Sequence, residues 1–214
     1  VLLFLGAFQG FLGWYMVKSG LIDRPDVSHY RLAAHLTTAF LTFAYSLWVA
    51  LDLIYPNRKK IVIGLRNLLR VTYFFLIVQI IWGAFVAGLD AGFIHNHWPL
   101  MSEGKLVHET VFIEQEPLIK NFIEGKSGVQ FIHRYLAYIV VGLFLAIWYR
   151  TKNKKLTIPQ KNGIHLILIL VSLQFILGVF TLINGVPVWL GVAHQIGAFF
   201  LLGAMTFTLH RFSK

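Results

Sequence analysis

The 214-residue sequence contains no cysteine and few charged residues. Without cysteine, the chain can form neither disulfides nor thiolate-ligated metal and iron–sulfur centres. Only 13% of the residues are charged, whereas an ordinary soluble domain carries roughly 25%. Hydrophobic residues make up 57%. These shortages exclude a disordered chain, a coiled coil and an ordinary soluble domain, and they predict that most of the surface faces lipid.

Proline is scarce as well, and none of the six prolines falls within an apolar run long enough to cross a bilayer. About 20 apolar residues are needed for one crossing. The pattern predicts an all-α, polytopic membrane helical bundle. Six spans are expected: A from Val1 to about Val17, B from about Arg31 to Ile54, C from about Leu69 to Gly88, D from about Val129 to Tyr149, E from about Gly163 to Ile183, and F from about Trp189 to Leu209.

Two further expectations concern the start of the chain and the long segment between spans C and D. The chain opens inside an apolar run, without an initiator Met or a basic lead-in, so we expect further residues before Val1. The segment between spans C and D, about 40 residues from Leu89 to Gly128, is acidic and carries Phe and Ile. Its length and composition predict a segment that folds over one end of the bundle.

The net charge of +10 is unevenly distributed between the two ends of the spans. Seven cations and eight acids lie in the A–B and C–D connections. The other end has one acid, Asp52, and twelve cations: Arg58, Lys59, Lys60, Arg66, Arg70, Arg150, Lys152, Lys154, Lys155, Lys161, Arg211 and Lys214. The positive-inside rule places this cationic end, with the C-terminus, in the cytoplasm. The basic excess is therefore explained by topology, which argues against a nucleic-acid partner.

An internal repeat runs through the spans. Gln-x-x-x-Gly occurs at Gln9 in A, Gln79 in C and Gln174 in E, while Ala-His-x-x-x-Ala-Phe occurs around His35 in B and His194 in F. Small residues recur by chance at membrane helix interfaces, but two motifs in the same order and orientation favour duplication. If C–F form one four-helix unit, A–B correspond to the second half of another, and eight helices are expected in all.

Three of the nine histidines, His35, His133 and His194, lie within spans at a similar depth near the outer end. Ionisable groups at such depth are costly and point to function. Imidazoles that face each other across a bundle are natural axial ligands of haem. Arg134 could pair with haem propionates through its planar guanidinium, or simply lie at the interface. The remaining six are interpreted as solvated: His29, His95, His97, His108, His165 and His210.

With these residues in view, the chain resembles the haem A synthase family in its mitochondrial and alphaproteobacterial form. The resemblance rests on stretches in five of the six spans, all but E, and in the C–D connection: Gln9–Leu21, Val27–Leu36, Gly83–Gly92, Trp98–Met101, Gln130–Arg134 and Ala193–Gln195. It implies two pseudo-symmetric four-helix bundles. Residues 1–66 would be the second half of the N-terminal, substrate-haem bundle, and residues 67–214 the C-terminal bundle that binds a haem b cofactor.

The resemblance also implies an activity and its residues. Enzymes of this family oxidise the C8 methyl group of haem O to a formyl group, giving haem A for cytochrome oxidase. By position, His133 and His194 would be the haem b axial ligands, with Arg134 beside them, and His35 would ligate the substrate haem. The implied setting is a bacterial inner or mitochondrial inner membrane, with haem O synthase and cytochrome oxidase assembly factors as partners.

Two other functions remain open on the sequence alone. A membrane cytochrome b that only transfers electrons would need His133 and His194, but it would not need His35. A transporter or channel could use the buried histidines as proton relays, yet such proteins favour helices broken by Gly or Pro at corresponding positions. The third histidine therefore favours the oxidoreductase.

Overall fold

The computed structural model describes residues 1–20, 27–56 and 63–213 of the chain. Within them the protein is helical, and six long α-helices follow one another: α1 (Leu2–Gly20), α2 (His29–Ile54), α3 (Ile63–Gly88), α4 (Lys126–Thr151), α5 (Ile158–Ile183) and α6 (Val188–Phe212). Five of these, α2 to α6, are long and apolar enough to cross a membrane. The shorter α1 is apolar along Leu2–Lys18. The all-α membrane fold is thus confirmed.

The predicted helix starts were late for α3 and α5, by six and five residues. Apolar composition marks only the part of a helix that lies in lipid, whereas both helices begin earlier, among polar residues. For α5 the start is fixed by a capping box, in which Thr157 and Gln160 each bond the other's backbone amide. Pro159 follows in the first turn, where it costs no intrahelical hydrogen bond.

Helices α3 to α6 pack in a ring: α3 contacts α4, α4 contacts α5, α5 contacts α6, and α6 contacts α3. Helices α4 and α6 therefore lie across the bundle from each other. Helix α2 packs against α3 and α6 from outside the ring, and α1 packs on α2. The proposed boundary at residue 66 falls in the first turn of α3.

Each helix of the ring contributes one row of side chains to the core. Its fully buried members include Leu69, Phe144, Ile167, Leu202 and Met205. Many other large apolar side chains point outward, including Phe74 at 63% and Val188 at 82% exposure. A soluble protein would bury such residues, so these outward faces are suited to lipid.

Residues 89–125 fold over one end of the ring, which we call the loop end. They form three short 3₁₀ helices, Ala91–Phe93, Glu109–Phe112 and Leu118–Phe122, all of which contact α4. The Trp82 indole donates to the Phe122 carbonyl at 3.1 Å, and the Tyr135 hydroxyl donates to the Leu106 carbonyl at 2.7 Å. The segment predicted to fold over the bundle does so.

Among the described residues, cations lie at the end of the bundle where the sequence predicts them. Arg66 and Arg70 lie in the first turns of α3, and Arg150 lies in the last turn of α4, all at the end opposite the loop end. Five counted cations, Arg24, Arg58, Lys59, Lys60 and Lys214, lie outside the described residues, as does Leu21 of the first motif.

Candidate functional site

Three helical hairpins carry the candidate site residues in the same arrangement. In α1–α2, α3–α4 and α5–α6, the first helix supplies the Gln-x-x-x-Gly motif and the second supplies the histidine. His35, His133 and His194 lie six or seven residues after the start of their helices, about 9–11 Å from the loop end. The equal depth predicted from the sequence is present.

Each histidine is held by the glutamine of its own hairpin. The amide nitrogen lies 3.0 Å from the imidazole Nδ1 for Gln9 and 3.1 Å from it for Gln79 and Gln174, and it lies 3.4–3.5 Å from Nε2 in all three pairs. The same nitrogen donates to the histidine backbone carbonyl at 3.0, 3.0 and 2.9 Å. Three independent pairs of helices thus reproduce one contact to within about 0.1 Å.

The glycine of each motif makes room for the imidazole. A Cβ added at Gly13 or Gly83 would lie 3.1 Å from the histidine Cε1, and one added at Gly178 would lie 2.9 Å from it. Ordinary contacts of a Cβ fall between 3.4 and 4 Å. The ring therefore occupies the space that any other residue's side chain would need, which explains why glycine stands one turn after each glutamine.

His133 and His194 face each other across the ring of helices. Their ring centres are 6.5 Å apart, and their planes are nearly perpendicular, at 85°. Two imidazoles on opposite faces of one metal place their centres about 6 Å apart, because each metal–nitrogen bond is about 2 Å and the nitrogen lies about 1 Å from the ring centre. The two donors, both neutral imidazoles in an apolar bundle, therefore fit a bis-histidine haem.

His35 has the same local support but no such partner. Within the described part of the chain, no ring contact joins it to a second histidine. Its helix, α2, lies outside the ring of α3 to α6, and among the described residues the main contact of its supporting helix α1 is with α2. The structure therefore brings His133 and His194 together and leaves His35 as a separate half-site.

Arg134 is bonded to the loop in this structure. Its Nη2 donates to the carbonyls of His97 at 2.6 Å, Leu100 at 3.0 Å and Pro99 at 3.4 Å, and Nη1 donates to His95 at 3.4 Å. The guanidinium thus fastens the loop segment to α4 directly beside His133. Pairing with a propionate would require it to exchange some of these carbonyls.

Among the other histidines, the solvated interpretation is wrong for His210. This side chain is 0% exposed, and its Nε2 lies 3.0 Å from Asp52 Oδ1. The Trp48 ring also packs edge-on against it, with centres 5.0 Å apart. The residue sits at a helix end, but α2 covers that end, and such packing cannot be read from α6 alone.

His95 is also part of a network rather than simply solvated. Its Nε2 lies 3.0 Å from the Ser127 hydroxyl, which donates to Glu114 Oε1 at 2.9 Å. The Ser127 amide donates to the other oxygen of Glu114 at 3.0 Å. Burial lowers the pKa of His95, and the nearby His108 and Arg134 lower it further. This network ties the loop to the start of α4.

The role of the glutamines was missed from the sequence. The motif was interpreted as evidence of an internal duplication, although each copy comes just before a histidine helix. A second signal was available, since Ala39, Ala137 and Ala198 each follow a site histidine by four residues. The alanine four residues after the histidine therefore recurs after His133 as well, and it would have grouped all three hairpins.

One known protein family matches nearly the whole chain. The family model described as cytochrome oxidase assembly protein, COX15-CtaA, matches residues 1–206. The chain belongs to the COX15-CtaA family. This places the three glutamine–histidine hairpins in a family whose description names cytochrome oxidase assembly.

Individual curated proteins match along all or nearly all of the chain. Heme A synthase of Flavobacterium psychrophilum is 60% identical over 214 residues, and that of Flavobacterium johnsoniae is 63% identical over 215 residues; both alignments cover 100% of this chain. Heme A synthase of Paramagnetospirillum magneticum is 41% identical over 96% of it. The chain spans 63%, 63% and 58% of these curated relatives. No solved structure matches it.

Proposed function

We propose that this chain is part of a membrane enzyme that oxidises the C8 methyl group of haem O to a formyl group and so makes haem A. The observation that carries this proposal is the repeated hairpin, which gives one facing pair of histidines and a third histidine with identical support. Relatives named heme A synthase align with this chain over its whole length. The product would serve cytochrome oxidase, in line with the family description.

In this proposal, His133 and His194 would hold a haem b cofactor through its iron. They lie on helices that face each other across the ring, and their separation of 6.5 Å suits one iron between them. When bound, the cofactor supplies one-electron transfer, which carries electrons away from the substrate site. The apolar ring of α3 to α6 would exclude water around it, and Arg134 would hold the loop over its outer edge or pair with its propionates.

His35 is the proposed ligand of the substrate haem. Gln9 and Gly13 hold its ring as their counterparts hold the cofactor histidines. A site for a second haem explains why a third histidine carries this support, since electron transfer alone would not need it. We further propose that residues 1–66 belong to a substrate-haem bundle, that residues 67–214 form the cofactor bundle, and that the two are related by pseudo-twofold symmetry in an eight-helix protein.

The charge pattern supports an orientation for this bundle. Cations concentrate at the end opposite the loop end, so we place that end and the C-terminus in the cytoplasm, with the loop end outside. The membrane is then the bacterial inner membrane, or the mitochondrial inner membrane in a eukaryote. Haem O synthase and cytochrome oxidase assembly factors are the proposed neighbours in that membrane.

The second candidate is a membrane cytochrome b that only transfers electrons. The His133–His194 pair by itself would support it. The two functions differ at His35, because an electron carrier would keep its full function without that side chain. The His35 hairpin, built with the same contacts as the other two, favours the enzyme.

The deciding experiment extracts haems from cells that express the full-length gene together with a source of haem O. Chromatography should show haem A with the unaltered gene, and only haem O with His35→Ala, while the haem b spectrum of the purified variant is unchanged. His133→Ala and His194→Ala should each lose that spectrum. Accumulation of haem O alone by the unaltered gene would refute the enzyme, and retention of the spectrum in both of the latter variants would refute the ligand assignment.

A further inference from the structure

Two arginines at the cationic end of the bundle, opposite the loop end, have guanidinium nitrogens that are buried without a partner. Among the described residues, Nε of Arg66 and both Nε and Nη1 of Arg211 are buried and make no hydrogen bond. Arginine is always charged in proteins, and buried polar atoms are nearly always bonded. The two charges therefore need compensation from a further group.

Both arginines lie where α2, α3 and α6 meet. The Tyr73 hydroxyl of α3 is 3.1 Å from the Thr206 hydroxyl of α6, which fixes the register of these two antiparallel helices. Arg66 lies two turns before Tyr73 on the same face of α3, and Arg211 lies little more than one turn after Thr206. At 1.5 Å per residue, these offsets are about 10.5 Å and about 7.5 Å in the same direction. The two arginine Cα atoms are therefore within about 3 Å of the same depth.

Contacts with α2 and α5 hold Arg211 in place. Its guanidinium lies over the ring of Tyr55, directly after α2, at 4.2 Å from the ring centre. The Gln160 side chain of α5 donates to the Arg211 carbonyl at 3.1 Å, and the next side chain, Phe212, is fully buried. A guanidinium that is already held loses little conformational freedom when it binds an anion.

Carboxylates of the chain do not balance the charge at this end. Asp52 is the one acid there, against twelve cations, and its Oδ1 lies 3.0 Å from Nε2 of His210. Both Nη atoms of Arg66 and Nη2 of Arg211 are absent from the buried, unpartnered nitrogens, and no described residue accepts a hydrogen bond from them. Since both side chains are only half-buried, these nitrogens face outward.

We propose that Arg66 and Arg211 together bind a phosphate group, which is supplied by the headgroup of an anionic phospholipid. A planar guanidinium matches the spacing of phosphate oxygens. Because α2, α3 and α6 are long and apolar enough to cross a membrane, their ends lie at the depth of the headgroups, where basic pockets between membrane helices bind anionic lipids. The site uses none of the three candidate haem histidines, so it stands independently of the proposed function.

The test is native mass spectrometry of the delipidated, full-length protein in detergent, titrated with phosphatidylglycerol, with phosphatidylcholine or with inorganic phosphate. The test variant carries Arg66→Gln and Arg211→Gln. The matched control carries Arg70→Gln and Arg150→Gln, which remove the same two charges from exposed positions at the same end.

We expect the unaltered protein and the control to bind the first phosphatidylglycerol with the same affinity. The test variant should bind it roughly tenfold more weakly, because it loses charge-assisted hydrogen bonds to the phosphate. Phosphatidylcholine, whose headgroup has no net charge, should bind weakly to all three proteins.

The other outcomes separate a specific site from general attraction. Equal weakening in the test variant and the control would overturn the proposal, as would unchanged affinity in the test variant. Binding of inorganic phosphate that depends on the two arginines, without a preference for phosphatidylglycerol over phosphatidylcholine, would refute the lipid as the source. If the glutamine variant does not fold, Arg66→Lys with Arg211→Lys keeps both charges but removes the planar donors. Weaker binding of phosphatidylglycerol by that variant would support the site, and unchanged affinity would overturn it.

Discussion

The glycine beside each imidazole offers the sharpest test of how the histidines are held. In Gly178→Ala, the new Cβ would lie 2.9 Å from Cε1 of His194, against the 3.4–4 Å of an ordinary contact. The ring must therefore recede by about 0.5–1 Å, because the α5 backbone is fixed by its neighbours. Free protein can relieve this by turning the ring, whereas a ring bound to iron cannot.

The magnitude follows from the cost of overpacking, which is about 1–3 kcal/mol for one added carbon. If the haem-bound state bears most of it, haem binds about 5- to 150-fold more weakly, since 1.4 kcal/mol corresponds to a factor of ten. Alanine also favours a helix over glycine by about 1 kcal/mol. Folding stability without haem should then be nearly unchanged, and the loss should appear in haem retention.

The assay is transfer of haem from the detergent-solubilised, full-length protein to an excess of apomyoglobin. Gly191→Ala is the matched control, because a Cβ at Gly191 of α6 meets nothing within 4 Å, and Gly142→Ala serves the same purpose on α4. Gly178→Ala should lose haem faster than either control. If all three variants behave alike, the argument that the imidazole fills the place of a side chain is refuted.

Three further predictions concern the ends of the bundle. Burial and nearby cations hold the pKa of His95 below its usual value, so below about pH 6.5 the detached segment binds more protons than the attached one. Attachment of residues 89–125 should therefore weaken on acidification. Limited proteolysis at different pH values should show this, and His95→Gln should remove the pH dependence. His210→Leu should lower the free energy of unfolding by about 1–3 kcal/mol through loss of its bond to Asp52, measured by thermal denaturation in detergent, while no change would contradict a stabilising role. Because these 214 residues contain no cysteine, an impermeant maleimide should label Lys105→Cys in intact cells and Lys155→Cys only after permeabilisation, and the reverse would invert the proposed orientation.

The sequence was sufficient to predict the helices, because a long apolar run in a membrane protein has few alternatives. Contacts between helices were predicted less well. His210 was interpreted as solvated from its position near the end of α6, yet α2 buries it. The glutamines were recognised as a repeat, but their hydrogen bonds depend on how two helices rotate against each other. The position of a residue along a helix predicts its depth in the membrane, whereas its hydrogen-bond partner depends on how the helices pack.

The contacts of Arg134 also could not be predicted from the sequence. Its place after His133 predicted a propionate partner, and that remains a prediction. In the structure its guanidinium bonds four loop carbonyls, a set of acceptors with no sequence motif, because backbone oxygens are common to all residues. Such contacts become visible only when residues 95–100 are folded over α4.

The hairpin, rather than the four-helix bundle, is the repeating part of this protein. Each hairpin holds one imidazole, and under the proposed function a haem with two histidine ligands would take one imidazole from each of two hairpins. The number of haems that a protein of this design could hold would then rise by one for every two hairpins. New sites could be made by pairing existing hairpins in new combinations, and a chimera with α1–α2 in place of α5–α6 would show whether the halves are interchangeable.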